Sequence, residues 1–154
     1  MNSAQQTKNR NSIFAIILAG LHILLGIGGI GGGAVLLADT SGQLMGVPPE
    51  LLNGLPIHSY LLPGLVLITF LGIIPIFVAY LVIKQPAIKI FAAINPVKRW
   101  HYSRSLSLFI GVFLIGWTIG EIILWDFNFL SNLYFVWGVA TTLLSLILKT
   151  RQRR

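Results

Sequence analysis

The chain has 154 residues, of which 55% are hydrophobic and only 10% are charged. Since a soluble domain carries about 25% charged residues, this composition excludes a surface covered by water and predicts one covered largely by lipid. The net charge of +7 is interpreted as membrane topology, so we expect no nucleic-acid partner, and the absence of cysteine excludes disulfides and thiolate chemistry.

Four apolar stretches are long enough to cross a bilayer, whose hydrocarbon core of about 30 Å needs about 20 helical residues. We place these spans at about 13–38, 60–83, 106–125 and 130–148. They predict an all-α fold, a four-transmembrane-helix bundle that forms a single membrane domain over residues 1–154. The first stretch is longer than the roughly 7–15 apolar residues of a signal peptide and lacks a small-residue cleavage pattern. We therefore expect it to be a retained span.

The charges are segregated along the chain. The eleven basic residues lie before the first span, between the second and third, and after the fourth, at Lys8, Arg10, Lys84, Lys89, Lys98, Arg99, Arg104, Lys149, Arg151, Arg153 and Arg154. The four acids, Asp39, Glu50, Glu121 and Asp126, lie near the other ends of the spans. Lysine and arginine near span ends are retained in the cytoplasm. This pattern predicts cytoplasmic N- and C-termini in a multi-pass protein of the plasma membrane, with anionic lipids of the inner leaflet as partners.

The outer loop, residues 39–59, is divided into turns by proline and glycine. The pair Pro48 and Pro49 comes directly before Glu50, and proline suits the first turn of a helix. We therefore predict a short helix in this loop.

The inner loop, residues 84–105, holds a second short helix in our interpretation. Ile88, Phe91 and Ile94 repeat at helical spacing, which is typical of an interfacial helix. The neighbouring Trp100 and Tyr102 predict an anchor at the level of the lipid headgroups. His101, between these aromatic residues, is expected to be solvated.

Glycines in two spans predict close helix packing. The pairs with small-xxx-small spacing are Gly28 with Gly32, Gly29 with Gly33, and Gly116 with Gly120. A formal match to the dinucleotide-binding glycine fingerprint in the first span is rejected, because that fingerprint needs a preceding strand. Packing within the chain, a homo-oligomer contact and a functional bend are the three interpretations of these pairs.

Glu121 is an acid inside a span, where a charge is costly. Trp117 lies on the same helical face at i−4, and Tyr134 and His58 are expected at a similar depth. We predict an outward-facing polar pocket formed by Glu121, Trp117, Tyr134, His58 and the backbone of Gly28–Gly33. The alternative is an interfacial carboxylate that extends outward to water.

His22 is a candidate intramembrane polar residue near the middle of the first span. A neutral histidine that hydrogen-bonds another helix is one interpretation, and a proton relay or a haem ligand is the other. The three histidines lie at three different depths, so we predict no metal site. No sequence pattern of a catalytic nucleophile or base is present, so we assign no catalytic residue, expect no cofactor and favour a protein that is not an enzyme.

Several short motifs resemble a broad set of small, uncharacterised four-span bacterial membrane proteins. They are Asp39–Gly42 with Gly46 and Pro48, Leu62–Leu67 leading to Leu71 and Gly72, Gly116–Leu124, and Tyr134–Phe135. The resemblance covers most of the chain. It implies a bacterial plasma membrane, and it carries no established activity with it.

The sequence favours a non-enzymatic binding or accessory component that uses the pocket near Glu121. One alternative is an oligomeric transporter of small molecules or ions, for which Glu121 would supply the membrane-embedded acid; its shallow position argues against this, since alternating-access sites lie near the midplane. A second alternative is a haem-binding or membrane-enzyme subunit, supported only by His22 and His58. A homo-oligomer or a larger membrane complex is the expected setting.

Overall fold

The computed structural model describes residues 3–53, 56–125 and 129–148, and within these ranges the chain is helical with no strand. The fold class is therefore all-α, as predicted, and its four apolar helical segments are consistent with a four-helix bundle. The chain forms two compact units. The first unit is His22–Phe77, and the second unit combines Met1–Leu21 with Val78–Arg154.

The helices follow the predicted spans closely. They are α1 (Ser3–Ala38), α2 (Leu61–Val66), a π-helical segment (Leu67–Ile73), α3 (Ile74–Lys84), α4 (Lys89–Ile94), α5 (Tyr102–Trp125) and α6 (Phe129–Ile147). Three stretches are long and apolar enough to cross a membrane: Asn11–Ala38, Leu61–Lys84 and Tyr102–Ile123. The apolar part of α6, Ser131–Ile147, is shorter. The predicted number of four passes therefore stays a prediction.

The distribution of side chains is that of a protein that spans a membrane. Large apolar side chains face outward, and those of Ile123 and Val136 are 76% and 64% exposed. Six small polar side chains of α5 and α6 are instead buried, at Ser103, Ser107, Thr118, Ser131, Thr141 and Ser145. A soluble monomer rarely exposes so much contiguous apolar surface. Small and hydroxyl-bearing residues at helix contacts are typical of membrane proteins, where lipid covers the apolar faces.

In the first unit, α1 packs closely on the second span through three glycines. A Cβ added at Gly29 would overlap the carbonyl group of Leu71, and one added at Gly33 would lie 2.7 Å from the carbonyl oxygen of Gly64. A Cβ at Gly26 would lie 2.9 Å from the carbonyl oxygen of Gly72. Such approaches exclude any side chain, so this face of α1 requires glycine.

The glycines of α1 that contact the second span are only in part those of the predicted pairs. Gly29 and Gly33 belong to it, and Gly26 joins them at the i−3 position. Gly32 lies at its edge, where an added Cβ would make ordinary contacts of 3.4–3.5 Å. A Cβ added at Gly28 would meet no atom within 4 Å in the part of the chain that the structure describes. The packing repeat is therefore Gly26–Gly29–Gly33.

The second span widens into a π-helix in its middle. The N–H of Ile74 donates to the carbonyl of Thr69, five residues earlier, instead of four as in an α-helix. The next residue is Pro75, which has no N–H and so cannot donate to the Leu71 carbonyl in the α-helical register. Adding one residue to the turn is a known way to accommodate such a missing bond.

The outer loop is closed at its two ends by hydrogen bonds. The Asp39 carboxylate accepts from the Ser41 hydroxyl at 2.6 Å and from the Leu44 N–H at 2.8 Å, and these bonds, the Ser41 hydroxyl first, lower the pKa of Asp39. The Tyr60 hydroxyl donates to the Pro48 carbonyl at 2.7 Å. Its ring lies over Gly42, whose φ of 84° favours glycine. The predicted short helix is present as a 3₁₀ turn at Pro49–Leu52.

In the second unit, α5 and α6 pack as an antiparallel pair around two glycines. A Cβ added at Gly111 would lie 2.8 Å from the Thr142 nitrogen and 3.0 Å from the Gly138 oxygen. By contrast, Cβ atoms added at Gly116 and Gly120 would meet no atom within 4 Å among the described residues. The contact thus uses Gly111, and Gly116 and Gly120 lie on another face of α5.

Candidate functional site

Glu121 is the centre of a small polar cluster near the end of α5. The indole Nε1–H of Trp117 donates to Glu121 Oε1 at 2.7 Å, across one helical turn. From α6, the Ser131 hydroxyl lies 3.5 Å from Glu121 Oε2, and the half-buried Tyr134 lies one turn further along within electrostatic range of the carboxylate. The antiparallel packing of the two helices places these groups together.

The two oxygens of the Glu121 carboxylate are held unequally. In the part of the chain that the structure describes, one accepts a short bond from an indole N–H, while the other has a single long contact to a hydroxyl. An ionised carboxylate has about four lone-pair positions. An ionised Glu121 would therefore keep capacity for a further donor, and its half-buried position would strengthen a bond to a cation relative to bulk water.

An aromatic surface borders this carboxylate. Phe113, Trp117 and Glu121 follow one another at intervals of four residues along α5, and the ring centroids of Phe113 and Trp117 are 6.1 Å apart. An acid beside aromatic faces suits a positively charged group, because both the carboxylate and the ring faces attract cations.

The remaining predicted pocket residues belong to the first unit. His58 is exposed in the outer loop, and Gly28–Gly33 are in α1. The cluster that the structure shows around Glu121 therefore consists of Trp117, Ser131 and Tyr134, and the participation of His58 and the glycine backbone stays a prediction.

His22 is fully buried in α1, as expected of an intramembrane polar residue. In the described part of the chain, no three His, Asp or Glu side chains are grouped as a metal site would require. The burial of His22 does not distinguish its interpretations. A hydrogen bond to another helix, a proton relay and a haem ligand all stay predictions.

Ser131 is the member of the cluster that sequence reasoning missed. Its signal was available in the short connection between α5 and α6, because residues at similar distances from a tight helical hairpin face each other. Glu121 lies four residues before the end of α5, and Ser131 is the third residue of α6. A polar residue at that position is a natural partner for the acid.

A second polar cluster lies in residues 84–105, which we call the basic elbow. The Pro86 carbonyl accepts a bond from the Tyr102 hydroxyl and lies 3.3 Å from His101 Nε2. His101 Nδ1 is 2.8 Å from the Ser103 hydroxyl, and burial lowers the pKa of His101. His101 is partly exposed, so the expectation that it is solvated holds only in part, because these partners hold one side of the imidazole against the protein.

Two cations of the basic elbow terminate helices. The Arg104 guanidinium donates from Nε to the Ser145 carbonyl at 2.7 Å and from Nη2 to the Leu146 carbonyl at 2.6 Å, at the end of α6. It also lies 3.7 Å from the ring centroid of Trp100. Lys98 Nζ donates to the Ala93 carbonyl at 2.6 Å, at the end of α4. Cations at these ends satisfy carbonyls that have no helical partner and complement the helix dipole.

The cluster around Glu121 presents a hydrogen-bond acceptor beside aromatic rings, which is chemistry suited to a cationic or hydrogen-bonding group. The predicted resemblance to four-span bacterial proteins is not tested by any relative. Comparison of the chain with known protein families, curated proteins and solved structures gives no match.

Proposed function

We propose that the protein crosses a bacterial plasma membrane four times with both termini in the cytoplasm. Three described helices have the length and apolarity of membrane spans, and α6 supplies the fourth if its ends extend to the lipid headgroups. The grouping of all eleven basic residues at alternate ends of the spans supports a single orientation.

Within that membrane the protein acts as a non-enzymatic binding or accessory component, and Glu121 is its binding group. The observation that carries this proposal is the carboxylate itself. It is half-buried beside an apolar helix surface, and it is held by the Trp117 indole at 2.7 Å, while the contact of its second oxygen among the described residues is the 3.5 Å one to Ser131. An acid in a span is expensive to retain, which favours a functional role over a structural accident.

The ligand class follows from the chemistry of the site. A protonated amine, or a hydrogen-bond donor on a helix of a partner protein, would complete the coordination of Glu121 Oε2 and contact the rings of Phe113 and Trp117. A charged pair formed there would be less screened than one in water. An accessory subunit and a small-molecule binder both fit this description.

Replacing the acid by its neutral isostere is the direct test. Wild type and Glu121→Gln are purified side by side in a mild detergent. The proteins and small molecules that co-purify with each, here called its companions, are measured by mass spectrometry. We expect Glu121→Gln to reduce at least one stoichiometric companion about 10- to 100-fold, which corresponds to the loss of one charge-assisted hydrogen bond of about 1.5–3 kcal/mol. Trp117→Phe, which removes only the indole donor, should give a smaller loss of the same companion.

Glu50→Gln is the matched control, because Glu50 is an exposed acid in the outer loop. It should retain every companion of the wild type. Identical companions in all of these proteins, at equal thermal stability, would contradict the proposal. If Glu121 proves necessary for proton-coupled uptake into proteoliposomes, the transporter alternative replaces the accessory role.

A further inference from the structure

A cavity of about 180 Å³ lies within the basic elbow, between α4 and the beginning of α5. Its walls are mainly apolar and are formed by Phe91, Ile94, Leu106 and Phe109. An apolar cavity of about 150 Å³ is large enough to bind a benzene-sized group. This cavity therefore has room for an apolar segment of a ligand.

Two polar atoms beside this cavity have no hydrogen-bond partner among the described residues. They are Asn95 Oδ1 and Ser105 Oγ. Asn95 is only 5% exposed, and its Nδ2 is fully used by the carbonyls of Val97, at 2.9 Å, and Trp100, at 2.8 Å. Because a buried polar atom without a partner is unfavourable, the pair indicates a ligand that carries its own hydrogen-bonding group next to an apolar chain.

The charge around the cavity indicates that the ligand is negatively charged. The basic elbow contains five Lys and Arg residues and no acid. Arg104 and Lys98 are engaged at helix ends, whereas Lys89 and Arg99 are exposed. Lys89 is two residues before the lining residue Phe91 and Arg99 is three residues after the lining residue Pro96, so both are close in the chain to an anion bound at the cavity.

We infer that the basic elbow is a discrete binding site for one anionic glycerophospholipid. An acyl segment occupies the cavity, a headgroup hydroxyl donates to Asn95 Oδ1, an ester carbonyl accepts from the Ser105 hydroxyl, and the phosphate faces Lys89 and Arg99. This differs from a diffuse attraction of the inner leaflet to basic residues, since it requires one lipid at a defined place. The inference does not depend on the role of Glu121.

The test is native mass spectrometry of the full chain taken from nanodiscs with equal amounts of phosphatidylglycerol and phosphatidylcholine. We expect one retained lipid per chain, with phosphatidylglycerol favoured about 10- to 30-fold, since each near-surface cation contributes about 1 kcal/mol. Ser105→Leu places a larger side chain in the cavity and removes the Ser105 hydroxyl, so the amount of retained lipid should fall at least 10-fold. Ser12→Leu makes the same change at an exposed position of α1 and should behave as wild type.

A pair of charge variants tests the headgroup separately and decides the matter if Ser105→Leu does not fold. Lys89→Gln combined with Arg99→Gln should abolish the preference for phosphatidylglycerol, while Arg151→Gln combined with Arg153→Gln should keep it. Equal loss of preference in both pairs would show diffuse charge and overturn the inference. Full lipid retention by folded Ser105→Leu, or displacement of the lipid by millimolar inorganic phosphate, would overturn it as well.

Discussion

Replacing Gly29 by valine is expected to destabilise the protein by about 3 kcal/mol, the upper end of the usual cost of overpacking. A Cβ at this position overlaps the Leu71 carbonyl, so the obstacle is backbone and not a flexible side chain. The first unit can accommodate valine only by separating α1 from the second span. Thermal unfolding in detergent should show a fall of the midpoint by about 6–12 °C, at about 2–4 °C per kcal/mol for a chain of this size.

Gly28→Val is the matched control for this prediction. It adds the same side chain to the same helix one residue away, with the same change in helix propensity, at a position where an added Cβ meets no described atom. We expect a change within about 0.5 kcal/mol, as for other surface substitutions. Equal destabilisation by the two valines would contradict the assigned packing face. If Gly28→Val alone reduced the stability of the protein in the membrane, that result would instead favour the homo-oligomer interpretation of Gly28.

Arg104→Ala is expected to destabilise the helix pair of the second unit by about 2–3 kcal/mol. The substitution removes two charge-assisted hydrogen bonds to the last carbonyls of α6 and the contact with the Trp100 ring. Hydrogen bonds to charged groups contribute about 1.5–3 kcal/mol each, but the one to Leu146 is exposed and counts for less. The midpoint of thermal unfolding should fall by about 4–12 °C.

Two further variants separate geometry from charge at this position. Arg104→Lys keeps the positive charge but lacks the planar fork that reaches two carbonyls at once, so it should recover less than half of the lost stability. Arg99→Ala removes an exposed cation of the same loop and should be nearly neutral in detergent from which lipid has been removed, so that no bound phosphate contributes. If Arg99→Ala and Arg104→Ala were equally destabilising, the stabilising contribution would be net charge and not the cap of α6.

The helices were predictable because a long apolar run is a strong signal over many residues. The face on which a helix packs was not predictable from the sequence. The repeat of small residues identified α1 as a packing helix, but Gly26, Gly28 and Gly29 all have glycines at suitable spacing, and only the shape of the opposing span selects Gly26, Gly29 and Gly33. That shape includes a π-helical turn before Pro75, which local patterns do not predict.

The same distinction applies to α5. Gly116 and Gly120 form the more obvious motif, yet the contact with α6 uses Gly111, in line with the buried Ser103 and Ser107 at intervals of four residues. The stripe of serine and glycine is the weaker sequence signal. It becomes recognisable only when serine is counted as a small residue.

The contacts of the site that could be predicted are those between residues close together in the chain. Trp117 and Glu121 are four residues apart on one helix, and this spacing alone indicates a contact. Ser131 required the geometry of a helical hairpin. The bond of His101 to Pro86 joins residues 15 positions apart through an irregular loop, so no periodicity in the sequence could indicate it.

In the proposed topology, the basic elbow and the outer loop lie on opposite sides of one membrane. Because the chain has no natural cysteine, a single cysteine can be introduced at Gln43 or at Ala92, both exposed and both uncharged. We expect a membrane-impermeant maleimide to label Gln43→Cys in intact spheroplasts and to label Ala92→Cys only after the membrane is opened. Labelling of Ala92→Cys in intact spheroplasts, or of both positions from the same side, would contradict the account.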